Sequence, residues 1–173
     1  MNLESFIRDV PDFPIKGIIF KDITPLIGNH EALKHAADLM AQPYLKAGVE
    51  YVAGIESRGF VFGALLAERL KAGFVPVRKA GKLPYKTIRT SYSLEYGTST
   101  IEVHVDAIRR GAKVLMVDDL LATGGTMAAA CELVKELGGV IAGVTFVVEL
   151  TPLKGREKLA GYDVQALIKY DVA

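Results

Sequence analysis

The chain has one cysteine, Cys131, no long apolar run and almost no net charge. A single cysteine excludes an internal disulfide and fits a reducing compartment. No stretch approaches the roughly 20 apolar residues a membrane-spanning helix needs. Lys and Arg number 21 against 20 Asp and Glu, a formal charge of +1. No global field therefore favours nucleic acid or an anionic membrane, so any anion site must be local. The opening MNLESFIRDV carries acids and lacks the basic flank and apolar stretch of a signal peptide, so the expected location is cytoplasmic. Repeats, charge blocks and low-complexity stretches are also missing. The 173 residues, half of them apolar, are expected to form a single domain with one substantial core.

The chain alternates two kinds of segment. Residues 3–8 fit a short helix stopped by Pro11 and Pro14, and residues 13–25 (FPIKGIIFKDITP) are mixed. Helical spacing runs from about residue 30 to 47, with Pro43 ending or kinking it and Gly48 as a stop. Residues 51–55 fit a strand buried on both faces, followed by a turn, a helix over about 60–71 and a strand over 74–78. A polar stretch covers about 79–105. Residues 87–96 and 100–105 alternate weakly around Gly97, the pattern of a mobile hairpin with little core to hold it. Strands over 114–117, 141–149 and 164–168, and a helix over 126–137 closed by Gly138 and Gly139, complete the set. This order predicts an α/β fold with a parallel sheet and right-handed crossovers. Ligands of such sheets bind at the carboxyl ends of the strands, which directs attention to residues 56–59, 79–84, 118–126 and 149–154.

Residues 114–126 (VLMVDDLLATGGT) carry the strongest pattern. Four apolar strand residues lead into Asp118 and Asp119. Ala122, Thr123, Gly124, Gly125 and Thr126 then open a helix. Small residues admit an anion to the backbone, the helix start offers unpaired N–H groups, and the threonines add hydroxyls. Two acids beside a bare phosphate would repel it. They fit a ligand that also presents hydroxyls, as a ribose phosphate does. Rival motifs fail on the residues. No G-x-G-x-x-G occurs, and Gly54 to Gly59 has Walker spacing but Phe60 and Val61 where Lys and Ser or Thr must stand. His30 and His35 are five apart, which puts them about 140° apart around a helix rather than on one zinc-binding face.

Three further loops fit the same ligand. Glu56, Ser57, Arg58 and Gly59 join a buried strand to a helix. Arg78, Lys79 and Lys82 stand within five residues at a strand end, either as a solvated surface or as a pyrophosphate clamp. Glu95, near the tip of the hairpin, is the best general acid/base candidate, although a solvent-facing role is the ordinary one for such a residue. Cys131 reads as a small core residue, and His104 has no evident role.

Residues 114–126 closely resemble the phosphoribosyl-pyrophosphate (PRPP) motif of the type I phosphoribosyltransferases. Residues 11–25, 54–63, 78–84, 91–97 and 149–159 extend that resemblance over essentially the whole chain and narrow it to the adenine-using branch. The resemblance implies a transferase fold with an N-terminal hood over the base (about 1–30) and a flexible lid (about 82–105). It implies transfer of a 5-phosphoribosyl group from PRPP to adenine, giving AMP and pyrophosphate. By position, Ile19 backbone, Phe20, Lys21, Arg58 and Leu150 would contact adenine. Asp118 and Asp119 would take the ribose hydroxyls, and Ala122 to Thr126 the 5-phosphate. Glu56, Ser57, Arg58, Arg78, Lys79 and Lys82 would serve pyrophosphate, the last three across a homodimer interface. Glu95 would act at purine N7 with Tyr96 assisting, and the Glu56–Ser57 peptide would be cis. Mg²⁺ would be held mainly by PRPP oxygens, with no protein metal site. Lys21 departs from the family, which commonly has Arg there, so a stacked or bidentate role at that position is in doubt. Phosphoribosyltransferases of hypoxanthine, guanine or xanthine, and PRPP-sensing regulators without catalysis, stay open as alternatives.

Overall fold

The computed structural model describes residues 1–94 and 97–171. Seven strands form the main sheet: β3 (Tyr51–Ile55), β4 (Gly73–Lys79), β5 (Thr87–Ser93), β6 (Thr98–His104), β7 (Lys113–Leu121), β8 (Val140–Leu150) and β9 (Val164–Tyr170). Their order across the sheet is β5-β6-β4-β3-β7-β8-β9. The block from β4 to β9 is parallel, while β5 and β6 add an antiparallel hairpin at one edge. A separate antiparallel ribbon pairs β1 (Arg8–Pro11) with β2 (Ile19–Asp22), with Val10 opposite Phe20.

Helices cover both faces, as a parallel sheet requires. They are α1 (Thr24–Ile27), α2 (His30–Ala41), α3 (Arg58–Leu70) and α4 (Gly125–Glu136). The division shows in β7, where side chains alternate between faces. Val114 and Met116 join the core under α4, whereas Leu115 and Val117 join the core under α2 and α3. All four are fully buried, which is why the segment reads as an unbroken apolar run.

The structure corrects several expectations. The first helix is one 3₁₀ turn, Leu3–Phe6, and Arg8 already belongs to β1. The mixed segment folds as the second strand of the ribbon, and its connecting turn holds Phe13–Pro14 in cis. Asn29 caps α2 by accepting from the Ala32 N–H at 3.0 Å, and α2 stops at Ala41, ahead of a 3₁₀ turn at Gln42–Tyr44 containing Pro43. β7 runs on to Leu121, so Asp118 and Asp119 sit within the strand rather than in the loop after it.

The hairpin differs most. Its strands join the main sheet where Arg78 of β4 pairs with Glu102 of β6. Ile101 and Val103 are buried, and Ile88 and Tyr92 pack on the same core. The polar composition hid this because β5 lies at the sheet edge and keeps alternate residues exposed. No helix among the described residues is long and apolar enough to cross a membrane.

Candidate active site

The carboxyl ends of β3, β4, β7 and β8 bring four loops to one side of the sheet. The loop after β7 is the tightest. Gly124 adopts φ 78°, a left-handed conformation that glycine accepts without strain, and this turns the chain into α4. A Cβ on Gly124 would collide with the backbone of Gly155, and one on Gly155 would collide with the Ala122 carbonyl and Leu121. Two glycines thus let a 3₁₀ segment, Gly155–Leu159, lie directly on the loop. The resulting cavity, about 80 Å³, is lined by residues 120–127 together with Asp118 and Phe146. The start of α4 opens into it, with N–H groups that have no partner within the helix.

Asp119 is 5% exposed and pairs with Arg58, Nε to Oδ2 at 2.6 Å. Asp118 accepts the Asp119 N–H at 2.8 Å, and Gly59 packs against its carboxylate. Burial, then the charge of Asp119, raises the Asp118 carboxyl well above its ordinary range; Arg58 acts in the opposite sense. The Arg58 guanidinium also lies 5.4 Å from the centroid of the Phe20 ring, in cation–π range. Phe20 in turn meets Phe13 edge to face at 5.2 Å. Ile19 is exposed beside them, and Leu150, half-buried, ends β8.

The Glu56–Ser57 peptide is cis, as the resemblance implies. The Glu56 carboxylate is turned inward to protein partners. Its Oε2 accepts from Arg78 Nε at 2.7 Å and from the Lys79 N–H at 3.2 Å. Arg78 also donates to the Lys82 carbonyl at 3.2 Å. The loops 56–59 and 78–84 are therefore one hydrogen-bonded unit, with the Lys79 and Lys82 side chains on its exposed surface. Lys21 is used elsewhere. Its ammonium sits 2.7 Å from Asp9 Oδ1 and 4.1 Å from the Tyr170 ring centroid. It alternates with Phe20 along β2, so the two side chains leave opposite faces of the ribbon. Glu95 and Tyr96 lie outside the described residues.

Four residues that frame these loops carry no role in the sequence reading. Glu102, fully buried on β6, accepts at Oε1 from the N–H groups of Gly81, Lys82 and Leu83 at 3.0–3.1 Å. Its Oε2 takes Thr87 at 3.2 Å and Arg89 Nε at 2.8 Å. Burial pushes this carboxyl up, but the backbone donors, Thr87 and Arg89 together hold it below its ordinary value. Glu149 and Arg156 form a two-bond fork, both at 2.7 Å, and Arg156 also donates to the Val164 carbonyl at 2.7 Å. That fork anchors the Gly155–Leu159 segment. Tyr92 meets Thr126, hydroxyl to hydroxyl, at 2.9 Å. No local signal marks Glu102, because alternation with Ile101 and Val103 would turn it outward. Tyr92 and Thr126 are 34 residues apart, and Glu149 and Arg156, only seven apart, meet across a non-periodic turn.

With this geometry in hand, comparison with known proteins is informative. Residues 26–168 match the family model described as a phosphoribosyl transferase domain. An adenine phosphoribosyltransferase of Halothermothrix orenii is 57% identical over 98% of this chain and 99% of its own length. The chain belongs to the adenine phosphoribosyltransferase family. Solved structures agree. The adenine phosphoribosyltransferase of Rhodothermus marinus superposes with a TM-score of 0.93 at 51% identity, covering 97% of this chain and 96% of that one. That of Giardia lamblia, solved with 9-deazaadenine, gives a TM-score of 0.92 at 37% identity over 98% and 96%. The α/β architecture seen here is thus that of the adenine phosphoribosyltransferases, and the fold class expected from the sequence holds. Among the described residues no group of three or more His, Cys, Asp or Glu side chains could hold a metal ion.

Proposed function

We propose that the chain transfers the 5-phosphoribosyl group of PRPP to adenine in purine salvage, giving AMP and pyrophosphate. One observation supports this most directly: Arg58 joins an aromatic platform, Phe20, to a buried acid, Asp119, beside the cup at the start of α4. A base platform, a hydroxyl-binding acid pair and a phosphate cup are the three parts a nucleoside monophosphate requires, and they adjoin in the order base, ribose, phosphate.

In this reading Ala122 to Thr126 hold the 5-phosphate, and Asp118 and Asp119 accept from the ribose hydroxyls. Ile19, Phe20 and Leu150 enclose adenine. Lys21 belongs at most to the support of β2, given its contacts with Asp9 and Tyr170. The unit of residues 56–58, Arg78, Lys79 and Lys82 meets pyrophosphate, with the three cations serving a neighbouring subunit of a homodimer. The bond from C1 of the ribose to pyrophosphate oxygen breaks as the bond from adenine N9 to C1 forms, with inversion and an oxocarbenium-like transition state. Glu95 acts as the acid/base group at N7, with Tyr96 beside it. Mg²⁺ would be held mainly by PRPP oxygens and would supply positive charge to the leaving pyrophosphate. The hood of about residues 1–30 and the lid of about 82–105 then shield a single catalytic domain, working in the cytoplasm.

The test is a competition assay in which adenine, hypoxanthine and guanine share limiting PRPP and Mg²⁺. We expect AMP as the dominant product. IMP or GMP in its place would assign the chain to a 6-oxopurine enzyme, and PRPP binding with no product would make it a sensor.

A further inference from the structure

Thr126 occupies the first turn of α4, and its hydroxyl donates to the Tyr92 phenol oxygen at 2.9 Å. Tyr92 comes from β5, the edge strand, 34 residues away. Its ring is partly buried against the core under α4. A Cβ on Gly125 would stand 3.5 Å from this ring, so the ring lies close beside the start of the helix.

Geometry and proton inventory together give Tyr92 a task. A phosphate dianion only accepts hydrogen bonds, so in the cup it would claim the Thr126 proton. The phenol carries a proton of its own. Once Thr126 donates to phosphate, Tyr92 donates back to Thr126 Oγ1, and the pair stays bonded with its direction reversed. A hydroxyl that accepts one hydrogen bond is a stronger donor in the next, and charge on the final acceptor amplifies this. We propose that Tyr92 is a positioning residue for the 5-phosphate: it fixes the Thr126 rotamer and polarises its hydroxyl through the chain Tyr92 O–H to Thr126 O–H to phosphate. This rests on the reading of the cup as the 5-phosphate site.

The decisive measurement is a double-mutant cycle of Tyr92→Phe and Thr126→Ala. It is read as equilibrium dissociation constants for AMP, which has the 5-phosphate, and for inorganic pyrophosphate, which lacks it. Phenylalanine keeps the ring on Gly125 and removes only the hydroxyl. We expect Tyr92→Phe to weaken AMP about three- to tenfold, the worth of one hydrogen bond, with pyrophosphate affinity unchanged. Thr126→Ala should weaken AMP more, and the double variant should match Thr126→Ala alone, because the phenol acts only through that hydroxyl. Additive losses, or equal losses for AMP and pyrophosphate, would overturn the role of Tyr92 while leaving the cup intact. If Thr126→Ala leaves AMP binding unchanged, the cup assignment itself fails, and the role of Tyr92 goes with it.

Discussion

Glu102 makes the sharpest quantitative prediction. It is fully buried and receives five hydrogen bonds, three of them from the consecutive backbone N–H groups of Gly81, Lys82 and Leu83. Glu102→Ala removes the acceptor and leaves those donors facing a void. A bond to a charged group contributes about 1.5–3 kcal/mol. Gly81 and Lys82 are exposed, however, so water recovers part of the loss. Taking about 1 kcal/mol for each N–H gives about 3 kcal/mol in all. The Arg89 pair adds little because Arg89 is more than half exposed. At about 2–4 °C per kcal/mol for a chain of this size, Tm should fall by about 6–12 °C. Glu102→Gln keeps a carbonyl oxygen for the three N–H groups and loses only the charge, so a fall of about 2–4 °C is expected.

Thermal melts across pH check the charge. The folded carboxyl is held below its ordinary value, so its contribution is complete above the unfolded pKa of about 4.3 and fades as pH drops through the folded one. The gap in Tm between wild type and Glu102→Gln should close in acid. Steady-state kinetics check the function, because Glu102 holds the loop that carries Lys82. KM for PRPP should rise in Glu102→Ala while KM for adenine stays put. A lowered Tm with an unchanged KM for PRPP would refute positioning and leave Glu102 as a purely structural group.

Four other outcomes are expected. Asp118→Asn should be more stable than wild type at neutral pH but turn over far more slowly: an acid raised by burial loses stability as pH climbs from its unfolded toward its folded pKa. Melts at about pH 3 and pH 7 test it, since the gain should vanish at the lower value, where the unfolded carboxyl is itself largely protonated. Gly124→Ala should cost about 1–2 kcal/mol from the left-handed conformation alone, with more from contact with Gly155, and AMP titration should register the distorted cup as a loss of affinity. Cys131 is fully buried with its thiol pushed up to about 12, so a thiol reagent should label it only after unfolding, and stoichiometric labelling of native protein would contradict the packing under α4. Glu95→Gln should lower kcat strongly with PRPP binding kept, and unchanged turnover would remove Glu95 from the chemistry.

What the sequence made legible follows from the range of its signals. The buried strands, the α4 cup and the parallel order all rest on contiguous residues, and local pattern reads them well. The hairpin was misjudged because Ile101 and Val103 of β6 are hidden in an otherwise polar stretch, and only pairing with β4 shows which side faces in. The acids Asp118 and Asp119 looked like loop residues since two charges in a central strand are costly without a partner. Their partner, Arg58, is 61 residues upstream. Lys21 shows the opposite case. Its place in a recognisable segment suggested the base, whereas strand alternation turns it toward Asp9 and Tyr170.

Arg58 also shows why the two ends of the candidate site cannot be built independently. Asp119 is buried next to Asp118, and two carboxylates so close need a cation to stay charged. Arg58 supplies it through Nε at 2.6 Å. The same guanidinium carbon stands 5.4 Å from the centroid of the Phe20 ring, an attractive contact with an aromatic side chain on a ribbon that lies outside the main sheet. Demands set by the acids of β7 therefore determine where the platform of β2 rests, and α3 carries the message between them. Residues 20, 58 and 119 are thus one electrostatic unit, shared in the proposed reading between base and ribose. A substitution at any of the three should alter base and ribose recognition together.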